Sequence, residues 1–98
     1  MNKTDIIAQC NKHGEFYLHY EKLRQKGTTY LQGTMEFDPA QDKYLAERIK
    51  RERIRQPKED EILVFSRTND SFRFIPVAKV RRITSLQDEL KRASPVGK

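Results

Sequence analysis

Cys10, His13 and His19 are the only thiol and imidazole groups in the chain. Cys10 and His13 stand three apart, a spacing that puts both on one face of a helix. Such a pair could ligate a metal or form a thiol activated by an imidazole. Neither chemistry can be completed from these residues. A closed zinc site takes four ligands, and the chain has no CxxC and no second histidine pair. A thiol–imidazole pair needs a third group to orient it, and nothing nearby supplies one. Glu59, Asp60 and Glu61 form an acidic run that could attract a cation, but such a run more often solvates a loop or pairs with neighbouring arginines. The glycines are scattered at 14, 27, 33 and 97, so no phosphate-cradling loop is present. The expectation is no enzyme, no metal and no cofactor, with Cys10 packed as a small apolar residue.

The basic residues are a stronger signal. Lys43, Arg48, Lys50, Arg51, Arg53, Arg55 and Lys58 crowd one stretch, opposed only by Glu47 and Glu52 before the acidic run. Arg48, Arg51 and Arg55 share one helix side and Lys50 and Arg53 another. Each cation can neutralise a phosphate and release a counterion. The competing reading is a solvated helix laced by Glu47–Arg51 and Arg48–Glu52 pairs. A second basic set, Arg67, Arg73, Lys79, Arg81 and Arg82, lies in the C-terminal third.

Composition supports a polyanion partner. The chain has 98 residues, a net charge of +6, 35% charged residues and 36% hydrophobic residues. That length suits one small domain with a modest core, expected over residues 1–92, followed by a disordered tail at 93–98. A basic domain favours nucleic acid first, and an anionic membrane or an acidic protein second. One cysteine permits no internal disulfide, and no apolar run reaches a membrane span. A cytoplasmic location is therefore expected.

The elements that must position these side chains can be read from periodicity. "KTDIIAQCNKHG" predicts a short helix with Thr4 as N-cap and Gly14 as stop, the competing reading of 1–14 being a disordered arm. Over 15–38, Phe16, Leu18 and Tyr20 alternate in one strand and Leu31, Met35 and Phe37 in a second, with Gly33 marking a bulge or bend. Asp38 and Pro39 predict the start of a basic helix over 39–56, ended by Pro57. "ILVFS" and "FRFIPV" predict a hairpin, with Phe72, Phe74 and either Ile75 or Val77 inward and Arg73 outward. "PVAK" makes one tight turn, "VRRITSL" a closing strand, and Ser85 caps a last segment.

A hairpin followed by "IPVAKVRRI", with a single turn carrying the chain to its closing strand, resembles the Src-homology-3-like and Sm-like small barrels. The likeness covers about Glu15 to Leu86 and is one of fold alone, so no functional residue is carried over from it. It implies an α+β chain: a small, strongly bent antiparallel barrel of about five strands, with a helix inserted between strand pairs and a short helix at the N-terminus. An open sheet with the helix on one face is the competing architecture. Small barrels bind with loops and one strand face, where aromatics stack bases and arginines hold the backbone. Tyr17 and His19, in the outward register of the first strand, are the candidate stacking pair, unless Tyr17 packs under the inserted helix.

The expected function is low-specificity nucleic-acid binding, to DNA or RNA, through Arg48, Lys50, Arg51, Arg53, Arg55, Arg73, Arg81 and Arg82. The alternatives are an accessory protein of phage or mobile-element type that docks on a larger host complex, and a self-assembling Sm-like ring. The cations form one site only if helix and sheet present them on the same side.

Overall fold

In the computed structural model, which describes residues 2–93, the elements run α1 (Lys3–His13), β1 (Glu15–Glu21), β2 (Thr28–Thr34), α2 (Lys43–Arg51), β3 (Glu61–Ser66), β4 (Ser71–Pro76), a 3₁₀ turn (Val77–Lys79), β5 (Val80–Thr84) and α3 (Leu86–Ala93). The strands form a single antiparallel sheet in the order β4-β3-β2-β1-β5. It is an α+β fold whose sheet is not closed into a barrel. β4 and β5 are its two edges, yet only the three-residue turn separates them in sequence. The tail expected at 93–98 lies, except for Ala93, outside the described residues.

Register assigns every strand residue to a face, because directly paired residues share one. The inner face carries Phe16 and Leu18, Leu31, Ile62 and Val64, Ile75, Val80 and Ile83. Ile6 and Cys10 of α1 complete this core, with Ile7, Met35 and Val77 at its margin. Burial pushes the Cys10 thiol up to about 12, so it stays protonated at neutral pH. α1 starts at Asn2 rather than Thr4: the Asn2 side chain accepts from the Asp5 N–H. Gly14 ends it at φ +77°, where its N–H reaches the Cys10 carbonyl.

Residues 62–66 of β3 are all buried, so this strand is covered on both faces. The outer cover is α2. Leu45 and Ala46 are buried with Leu63 and Phe65, apart from the inner core cluster. This second layer reverses the expected phase of β4. Ile75 and Arg73 lie on the inner side, paired with Ile62 and Val64; Phe72 and Phe74 lie outward, paired with Phe65 and Leu63. Alternation separates two faces but does not say which one meets the larger core.

α2 is shorter at both ends than expected. Asp38 makes only a turn, its carboxylate accepting from the Ala40 N–H and its carbonyl from the Gln41 and Asp42 N–H groups. Asp42, four residues on, is the true N-cap, accepting from the Leu45 N–H. At the other end Arg53 takes the left-handed conformation (φ 56°). Its N–H reaches the Lys50 carbonyl, and that of Ile54 reaches the Ile49 carbonyl, the paired bonds of a Schellman motif. The chain then runs extended through Pro57.

Gly33 explains how β2 meets β3. Only Gly33–Ser66 and Thr34–Phe65 pair across this seam. A Cβ at Gly33 would lie 2.7 Å from the Phe65 carbonyl oxygen, so no larger residue fits without moving backbone. The Arg67 N–H to the Gln32 carbonyl and the Gln32 N–H to Thr68 Oγ1 lengthen the seam beyond its two pairs.

Candidate nucleic-acid interface

The outward face is covered by α2 on β3 and β4; over β2, β1 and β5 it is exposed at Tyr30, Gln32 and Arg82 and flanked by Glu89 of α3 at His19 and Thr84. On this second part, register places Tyr17 and His19 of β1 beside Gln32 and Tyr30 of β2, and beside Thr84 and Arg82 of β5. The Tyr30 ring lies 5.9 Å from Tyr17 and 5.7 Å from His19, centre to centre. Tyr30 is 59% exposed, large for an aromatic side chain on a sheet. His19 is held beneath it: Nε2 lies 3.1 Å from Thr84 Oγ1 and 3.4 Å from Glu89 Oε2, and the Thr84 hydroxyl donates to that same oxygen at 2.7 Å. Ser85 and Asp88 cap each other's backbone N–H groups, fixing the start of α3 and so the reach of Glu89. These bonds also hold the Asp88 carboxyl below its usual range.

"VRRI" has a local cause. Val80 and Ile83 are both inward, which strict alternation forbids for residues three apart. A bulge resolves it: Tyr20 pairs with Val80 and His19 with Arg82, leaving Arg81 as the extra residue. Both arginines are thereby exposed. They end differently. Arg81 pairs with Glu21 and also donates to the Ala78 and Val80 carbonyls. Arg82 makes no hydrogen bond or ion pair among the described residues, and it stands across from His19.

The helix residues divide in the same way. Arg48 turns inward: its guanidinium donates to Glu52, to Asp70 Oδ1 at 2.9 Å and to the Asp70 carbonyl at 3.3 Å. It lies 5.0 Å from the centre of the Phe65 ring and 5.7 Å from that of Phe72. Its side chain is 10% exposed, so Arg48 rivets α2 to the hairpin and offers nothing to a phosphate. The Glu52 bond, with Asp70 behind it, raises its pKa further above the usual arginine value. Asp70 itself sits at φ 51° in the hairpin turn, a left-handed position that Asp tolerates better than most residues. Arg55 is half committed, stacked 3.8 Å over Phe74 and bonded to Glu61. Lys50, Arg51 and Arg53 are exposed and have no side-chain partner among the described residues.

Of the eight residues expected from the sequence, Lys50, Arg51, Arg53 and Arg82 are thus exposed and unpaired among the described residues, the first three at and just past the end of α2 and Arg82 on the outward face of β5. Arg73 is also unpaired but belongs to the inner side, where it lines a shallow hollow with Tyr20, Lys22, Arg24 and Thr29. Sequence reasoning missed Tyr30. The signal for Tyr30 was its pairing opposite His19, which appears only once hairpin register is known. Comparison with protein-family models, curated proteins and solved structures found no match for the chain.

Proposed function

We propose that the protein binds single-stranded nucleic acid across the open outward face of β2, β1 and β5. The observation that carries this reading is Tyr30, exposed and backed by Tyr17 and His19, with Arg82, unpaired among the described residues, two strands away on the far side of His19. A base can stack on an aromatic face whatever its identity, and an arginine on the same face can hold the phosphate. Arg51 and Arg53, exposed at and just past the end of α2, would add phosphate contacts. Affinity then comes from stacking and phosphate contact, with low sequence preference. Duplex is disfavoured, because its bases are already stacked on one another.

The strand order, with consecutive edge strands joined by a three-residue turn, also supports reading the sheet as an opened relative of the Src-homology-3-like and Sm-like barrels. Such barrels commonly bind through one strand face.

The test is fluorescence anisotropy with labelled single-stranded and duplex DNA and RNA at two salt concentrations. Single strands should bind more tightly than duplex, and binding should weaken steeply with salt. Tyr30→Ala should cost about 1–3 kcal/mol of affinity, the usual worth of one base stack. Arg51→Glu/Arg53→Glu should reduce affinity and flatten the salt slope. Binding that survives Tyr30→Ala unchanged would sink the stacking site. No binding at low salt would sink the whole reading. Mass in solution separates a monomeric binder from a ring.

A further inference from the structure

Away from the aromatic face, a groove of about 400 Å³ opens between α1, α2 and β3. Its walls include Ile7, Met35, Phe37, Ile49, Ile54 and Ile62. The early end of α2 shapes it: the left-handed turn at Arg53 sends residues 54–57 back as a separate wall instead of a further helical turn. The volume falls within the range of small-molecule sites, and apolar walls with a few polar groups are their usual make-up.

Every charged residue lining the groove is cationic: Lys3, Lys50 and Arg55. Lys3 Nζ donates to the Lys58 carbonyl and Arg55 is bonded to Glu61. Lys50 has no partner among the described residues, so it is the charge free to meet a ligand. We propose that this groove binds a small anionic amphiphile, with the aliphatic chain between Ile7, Met35 and Ile49 and a terminal carboxylate at Lys50. Apolar walls reward the chain, and the one-sided charge selects the sign of the head group.

The test compares decanoate with decyltrimethylammonium, both below their micelle concentrations, by calorimetry and by the chemical shift of the Met35 methyl. Decanoate should saturate at one per chain and move the Met35 signal, and the cationic analogue should bind at least tenfold more weakly. Lys50→Glu, an exposed change that leaves the core intact, should reverse that order. Ala46→Phe, checked for folding by circular dichroism, should fill the groove and abolish binding of both. Equal affinity for the two amphiphiles, no saturation by decanoate, or wild-type binding by folded Ala46→Phe would each overturn the proposal. So would an acidic amphipathic peptide that moves the Met35 signal where decanoate does not.

Discussion

The two halves of the outward sheet face are built from the same residue types and put to opposite uses. On β3 and β4, Phe65, Phe72 and Phe74 lie under arginines, with Arg48 near the first two and Arg55 on the third. Those cations are neutralised by Glu52, Asp70 and Glu61. On β1, β2 and β5, Tyr30 is exposed over half-buried Tyr17 and His19, and Arg82 is unneutralised among the described residues. An aromatic–arginine cluster is therefore not a site by composition. In the proposed reading it becomes one only where no carboxylate has taken the guanidinium and a ring stays exposed, as at Arg82 and Tyr30.

The largest expected break in that contrast is Arg48→Ala. It removes the guanidinium packed by Phe65 and Phe72 and the bond that ties α2 to the hairpin at Asp70. The unfolding midpoint should fall by on the order of 10 °C, since a nearly buried arginine is lost with both its packing on the rings and its hydrogen bonds. Oligonucleotide affinity of the folded fraction should stay within about twofold. A midpoint unmoved by the substitution would mean that α2 is held by its apolar residues alone. Next comes the seam between the halves. Gly33→Ala forces a Cβ onto the Phe65 carbonyl and should cost about 1–3 kcal/mol in urea unfolding, as overpacking does.

Smaller effects sharpen the contrast within β5. Arg82→Ala should weaken oligonucleotide binding by about three- to tenfold, whereas Arg81→Ala, already tied to Glu21, should change it less than about twofold. Equal losses would show that the bulge does not divide their roles. The smallest effect is a pH dependence on the covered half. The bond from Arg55, aided by the Lys58 N–H, holds the Glu61 carboxyl below its ordinary value of 4.5. Its contribution is complete above that value and is lost as pH falls through the lowered one. Glu61→Gln should therefore flatten the decline of the urea midpoint between about pH 5 and 3, and an unchanged slope would assign that decline elsewhere.

The elements were legible in the sequence because alternation and helical spacing report burial directly. Phe16 and Leu18, or Ile6 and Cys10, have one core to face and reveal it. Legibility failed where a local signal had two physical outcomes. Asp38–Pro39 and Asp42 both announce a helix start, and only the second caps one. Arg53 ends α2 in a conformation usually given to glycine, so nothing in its type announced the stop. Phe72 and Phe74 looked inward because a second apolar layer, supplied by α2, has the same sequence signature as the first. Arg48 looked like its exposed neighbours because its acceptor at Asp70 is far away along the chain.

The strand order also bears on how the chain assembles in time. β1–β2 and β3–β4 are hairpins that can zip from their own turns, with seven and six paired positions. The β1–β5 ladder joins residues 65 apart, as Leu18 and Ile83 are, and has four. Closing so long a loop costs entropy before its few bonds repay it. Residues on both sides of the Arg82–His19 pairing should thus be ordered last in refolding, behind two hairpins already formed. A ligand seated on Tyr30 and Arg82 would fasten this late-closing ladder and slow its reopening.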